Sequence, residues 1–226
     1  MKRFWKEARA VDGTVLLDAR PVRTPRRSQL TLPTPALADA IAAEWNSVGE
    51  ELDPRALPLT GLANAAIDIV QPDPAAFAET LARYGETDLL AYRAESPAAL
   101  VARQAAEWDP LLDWAQQRYD IHVLRVAGIM HRPQPALTVT RLAEAIAARS
   151  PWELAPLSPL VTISGSLIVG LTLVERAFDA DTLWSAITLD EQWQEEQWGA
   201  DPLAEAARNA RRADWDSAVR FLDLVA

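Results

Sequence analysis

The chain has 226 residues, with 22 Lys and Arg against 32 Asp and Glu, a formal charge of −10, and no cysteine. The missing cysteines exclude disulfides, thiolate zinc sites, iron–sulfur clusters and cysteine nucleophiles. The acidity argues against a nucleic-acid partner, because phosphate-backbone binding relies on clustered Lys and Arg. Half the residues are hydrophobic and a quarter charged, which is globular composition in a chain long enough to bury a core without staples.

At the N-terminus, Met1-Lys2-Arg3 is followed by Phe4-Trp5-Lys6-Glu7. A basic start without an apolar run is not read as an export signal, and the early acid does not suit a transit peptide. Thr14-Val15-Leu16-Leu17 is β-prone and follows Asp12-Gly13, a dipeptide favoured in tight hairpins. A second turn lies around Ala19-Arg20-Pro21, and Gln29-Leu30-Thr31-Leu32 alternates, so three or four short antiparallel strands are expected. Leu89 to Arg93 and Ile121 to Val126 are further candidate strands.

From Thr34 onward one start signal recurs, a capping residue followed by proline. It occurs at Thr34-Pro35, Asp73-Pro74, Ser96-Pro97, Ser150-Pro151, Ser158-Pro159 and Asp201-Pro202. The capping oxygen accepts from an orphan N–H, and proline at the first helical position has no N–H to leave unsatisfied. Ser150 and Glu153 also fit a capping box. Helices are expected over 35–48, 60–70, 74–84, 97–117, 138–149, 159–177, 180–198 and 202–224, with Pro110 kinking or breaking the fourth. The apolar stretch Leu160 to Val174 is shorter than the roughly 20 residues that span a bilayer, and reads as a buried core helix. Within it, Ser164-Gly165-Ser166 reads as a point of close helix packing rather than a phosphate turn. The expected fold class is α+β, a small N-terminal antiparallel β-rich part (residues 1–92) packed with a larger helical C-terminal part (93–226).

No glycine-rich phosphate loop, GxSxG elbow or HExxH motif is present. The only imidazoles, His122 and His131, read as structural. The informative segment runs from Asp190 through Glu191, Trp193, Glu195 and Trp198 to Gly199. On one continuous helix from Asp181, Trp184, Ile187, Glu191, Glu195 and Trp198 share a face, with Leu189 and Trp193 opposite. Carboxylates inside an apolar stripe must be paired, be near water, or shift their pKa. Three readings stay open: pairing with buried arginines, a tryptophan-framed protein contact site, or a carboxylate pair for acid/base hydrolysis. Of the nine tryptophans, Trp45, Trp108, Trp114 and Trp184 occupy helix positions suited to burial. Trp193, Trp198 and Trp215 are the interface candidates.

These residues carry a resemblance. Arg3-Phe4-Trp5-Lys6, Leu17-Asp18-Ala19-Arg20-Pro21-Val22-Arg23-Thr24-Pro25, Ala43-Glu44-Trp45 and Pro58-Leu59-Thr60-Gly61-Leu62-Ala63-Asn64 form an ordered set. It continues with Glu86-Thr87-Asp88-Leu89-Leu90-Ala91-Tyr92-Arg93, Trp108-Asp109-Pro110-Leu111-Leu112-Asp113-Trp114, Gly165-Ser166-Leu167 and Asp190 to Gly199. Together they closely resemble the ATP synthase F1-sector assembly chaperones that act on the alpha subunit, found in mitochondria and alphaproteobacteria. The chain departs from the family at Ala19, where glycine is common, and at Gly61, where a basic residue is common.

The resemblance implies an ATP-independent chaperone, not an enzyme, that needs no cofactor and holds the unassembled alpha subunit until it meets beta. It assigns partner binding to Glu191 first, then Glu195 and Asp190, beside Trp193 and Trp198, and gives Trp45 a structural role. It further implies a protein partner; the acidity, the short apolar stretch and the N-terminus add the expectation of no nucleic acid, no membrane insertion and a cytoplasmic location, with a monomer expected when free. Two rivals are a hydrolase using Glu191 and Glu195, and a structural module of a larger complex.

Overall fold

The computed structural model describes residues 2–226. Asp12 and Gly13 both take positive φ, 49° and 73°, the geometry that lets a two-residue turn follow the twist of its strands. They join β1 (Ala8–Val11) to β2 (Thr14–Leu17), and β3 (Arg20–Pro21) adds the third antiparallel strand in the order β1-β2-β3. Leu30 to Leu32 continues this edge through a Thr14–Thr31 bridge, so the fourth run pairs without forming a full strand. The two later candidates contribute only β4 (Tyr92–Arg93) and β5 (Val126–Ala127), which pair in parallel. The fold class is therefore α+β, a small antiparallel sheet in a mostly helical chain.

The helices are α1 (Pro35–Ser47), α2 (Pro58–Ala65), α3 (Pro74–Ala82), α4 (Ala98–Tyr119) and α5 (Ala136–Ala147). They continue as α6 (Pro151–Ser164), α7 (Leu167–Val174), α8 (Ala180–Ile187), α9 (Leu189–Trp198) and α10 (Pro202–Val225). Thr34 caps α1 by accepting from Leu37 N at 3.2 Å, and Asp73 and Asp201 cap their helices in the same way. The Ser150–Glu153 box closes in both directions, at 2.8 and 3.3 Å.

Several expectations are corrected. Ser96 does not cap α4, whose N-cap position falls on Pro97. Pro110 does not break α4, because buried Trp108, Leu111 and Leu112 hold the helix on both sides of the lost bond. Ser158-Pro159 is not a helix start: the box at Ser150 begins α6 earlier, and the helix carries Pro156 and Pro159 inside it. The 159–177 helix does not exist as one piece. Gly165, at φ 64°, ends α6, and Ser166 then caps α7 by accepting from Val169 N at 3.0 Å. The 180–198 helix likewise divides at Thr188, the C-cap of α8.

The chain forms two compact units, each drawn from separate stretches. One comprises the stretch up to Phe77 with Arg149–Pro159 and Asp214–Ala226; the other comprises Ala78–Ala148 and Leu160–Ala213. In the first, α1 lays Leu37, Ala38, Ile41 and Trp45 into a core with Val15, Leu17, Leu30, Leu59 and Phe221. Trp45 meets Trp5 edge to face with ring centroids 5.1 Å apart, and donates to the Thr60 hydroxyl at 3.1 Å.

The second unit is built around α7, buried from Leu167 to Leu173, as expected of a helix apolar on every side. Its start is tied to a buried carboxylate. Asp88 accepts from Leu90 N at 3.1 Å and Ile168 N at 3.0 Å, while Leu89 N donates to Gly165 O at 2.9 Å. Burial pushes the Asp88 carboxyl up from its ordinary 3.8 to about 6, against N–H and hydroxyl donors that favour the ionised form. Among the described residues, no helix is long and apolar enough to cross a membrane.

Two outcomes are expected. Trp45→Arg places an unpaired cation in the first core and should cost about 3–5 kcal/mol in chemical denaturation; an unchanged midpoint would contradict the packing. Native Asp88 keeps its proton to a higher pH than the unfolded chain does. Its contribution is thus present below about pH 4, is lost as pH rises through about 6, and amounts to roughly 3 kcal/mol. The unfolding free energy of the wild type relative to Asp88→Asn should fall across that window, and a pH-independent difference would sink the assignment.

Candidate protein-binding site

Helix α9 is amphipathic in charge rather than in hydrophobicity. Only Leu189 among its ten residues is buried, and its acids are shared out between two neighbouring helices. Towards α4, Asp190 accepts from Gln104 Nε2 at 2.8 Å, and Glu196 takes Arg103 Nη1 at 2.8 and 2.9 Å. Towards α10, Glu191 takes Arg211 Nη2 at 2.6 and 2.8 Å, and Glu195 takes Arg208 Nη1 at 2.8 Å. Pair positions rise along α9 while they fall along α10, so the two helices run antiparallel through the tight turn at Gly199 (φ 88°). The Glu195 hydrogen bond holds the Arg208 guanidinium above its ordinary range, and Glu196 does the same for Arg103.

Trp184 is buried on α8, with the Arg212 guanidinium 5.4 Å from its ring centroid and Arg212 also paired to Asp181. Because the helix divides at Thr188, the single stripe from Trp184 to Trp198 is corrected: Trp184 is buried while Trp198 stands 79% exposed. Trp193 is half-buried. Trp215, read from sequence as an interface candidate, is fully buried in the first unit.

The arginines that meet Glu191 and Glu195 are not buried ones. The Glu191 and Arg211 side chains keep 41% and 42% of their surface in water. Together with Gln194, Trp198, Gly199 and Ala204, these pairs line a crevice of about 420 Å³. Leu203, 81% exposed, begins α10 beside it. The surface therefore combines two large uncovered apolar side chains with ion pairs that water can reach. Sequence reading located the acids and missed their partners. The signal was available, since Arg208, Arg211 and Arg212 recur at helical spacing on the next helix. Glu191 and Glu195 each carry an arginine, and Asp190 faces a third helix, so the three do not converge on one point.

Comparison with known proteins follows the same line. The profile of the ATP12 chaperone protein family matches residues 2–116. The crystal structure of Atp12 from Paracoccus denitrificans superposes with a TM-score of 0.93 at 43% identity, covering 100% of this chain and 98% of that one. A candidate chaperone from Agrobacterium tumefaciens gives 0.95 at 38% identity, covering 100% and 86%. The mitochondrial protein atp12 of Schizosaccharomyces pombe is 26% identical over 215 residues, 88% of this chain and 74% of its own. These matches place the chain among protein chaperones. The chain belongs to the ATP12 chaperone family and is an assembly chaperone of the ATP synthase F1 sector.

Proposed function

We propose that the client is the unassembled alpha subunit of the F1 sector, and that the α9–α10 surface holds it. The observation that carries this reading is Trp198, 79% exposed beside the half-exposed Glu191–Arg211 pair. An assembly intermediate exposes apolar surface that it later buries against its neighbour, and an aromatic side chain supplies area for such a contact. Carboxylates supply direction. An arginine of the client competes with Arg211 for Glu191 and with Arg208 for Glu195, exchanging one ion pair for another. Such pairs fix register and partner choice more than net affinity, because desolvation offsets much of the attraction. Asp190, bonded to Gln104 of α4, holds α9 from its other side, and Trp193 stays half-buried. In this reading the protein acts in the cytoplasm, as a monomer when free, without a cofactor and without catalysing a reaction. The hydrolase alternative has less support, because Glu191 and Glu195 are each paired to an arginine of the neighbouring helix.

The test is co-purification from the native host, scored for alpha against beta. The tagged wild type should recover alpha without beta. Glu191→Lys should lower alpha recovery by at least tenfold with an unchanged unfolding midpoint, Trp198→Ala should do the same, and Glu191→Gln should weaken recovery only a few-fold. Alpha recovery that survives Glu191→Lys, or a Glu191→Lys protein that melts, would assign Glu191 to the fold instead.

A further inference from the structure

Residues 20–27 place Arg20, Arg23, Arg26 and Arg27 within eight positions and include no acid. The first 27 residues hold eight of the 22 basic side chains and three of the 32 acidic ones, leaving 14 against 29 for the rest. Charge is thus segregated in a chain that is acidic overall. All four arginines are exposed, and none of them forms an ion pair among the described residues.

The loop that carries them is held in one shape. Arg23 bridges to Gln29 across it, Thr24 N donates to Ser28 O at 3.0 Å, and Arg27 N donates to Thr24 O at 2.8 Å. Asp68, 6% exposed, clamps it from beneath, accepting from the Thr24 hydroxyl at 2.7 Å and from Arg26 N at 2.9 Å. Asp68 lies in the π-helical turn Ala66–Val70, a local winding that is common at functional sites. Arg27 sits at φ 68°, where glycine or asparagine costs less. The Arg23 guanidinium donates to Arg27 O at 3.0 Å and so braces the loop from within. Arg20, in β3, and Arg26 and Arg27, on the loop that follows it, remain exposed to solvent on backbone that is already ordered.

We propose that this arginine loop docks an acidic segment of a protein partner, a short run of Asp and Glu side chains read by guanidinium forks. The planar fork of arginine matches a carboxylate with two parallel N–H donors. Eight residues reach at most about 27 Å, the span of a short peptide. A nucleic acid or an anionic bilayer carries its charge well past that span, so it would also meet the acidic remainder of the chain. A compact acidic segment meets only the loop. The site belongs to the first unit and the α9–α10 surface to the second, so this inference does not rest on the alpha-subunit reading, and either can fail alone.

The test uses the full chain and a fluorescein-labelled decapeptide of alternating Glu and Ser, followed by fluorescence anisotropy. The comparison is the wild type against the triple variant Arg20→Gln, Arg26→Gln, Arg27→Gln, which leaves Arg23 and every loop hydrogen bond in place. The expected result is at least tenfold weaker binding by the variant at an unchanged unfolding midpoint. The wild-type affinity should also fall several-fold between about 20 and 200 mM salt. A wild type that does not bind the peptide, or a variant that binds it equally well, overturns the proposal. Tighter binding of a single-stranded DNA decamer or of phosphatidylserine vesicles through the same arginines also overturns it, in favour of a phosphate partner.

Discussion

The attachment of α9 by charge is the constraint on which the proposed client surface depends. Buried through Leu189 alone, this helix is held by Arg103 and Gln104 on one side and by Arg208 and Arg211 on the other. Half-exposed ion pairs of this kind each contribute about 0–1 kcal/mol and weaken with salt. A helix held in this way stays in place without being locked. Its carboxylates can change partners at little cost, which a surface must allow if it is to hold a client and then release it to the true neighbour.

Such an arrangement works only on a rigid support. In the same unit, Trp108 of α4 is 1% exposed and donates to Ala186 O at 2.7 Å, fixing α4 to α8. Arg93 lies with its guanidinium 5.1 Å from the Trp108 ring centroid and pairs with Asp109 at 2.8 Å. Helix α7 lies in the core, begun by the Asp88 carboxylate. Low-cost surface pairs therefore sit on side chains whose positions are set by packing, and the site keeps its geometry while its charges remain exchangeable.

Local signals made much of this legible. The Asp12-Gly13 turn, the Thr34, Asp73, Ser150 and Asp201 starts, and the core face of α1 each follow from a few adjacent residues. What failed to show was decided by distant partners. Ser158-Pro159 looks like a helix start, yet the capping box that opens at Ser150, eight residues before Ser158, wins because Leu154, Leu157, Leu160 and Val161 are all buried. Gly165 reads as a packing glycine because its left-handed φ depends on Leu89 and Asp88 reaching the α6–α7 junction. Nothing local shows that residues 149–159 and 214–226 belong with the N-terminal sheet, and Trp215 was misplaced for that reason. At the site, the acids and Trp198 could be read from one helical period, whereas the arginines that answer them lie on other helices. The family resemblance named the chaperone; periodicity and spacing alone left the three readings of Glu191 open.

The most direct measurement of the central claim is a double-mutant cycle on Glu191 and Arg211, with Glu191→Gln and Arg211→Gln alone and combined. It is read once in unfolding free energy and once in alpha-subunit affinity. An exchangeable surface pair predicts a coupling below about 1 kcal/mol in stability, a loss of alpha-subunit affinity in Glu191→Gln whether or not Arg211 is present, and a small gain in affinity from Arg211→Gln alone, which frees Glu191 for the client. A coupling of about 3 kcal/mol or more in stability, with none in binding, would show a structural ion pair and contradict the account.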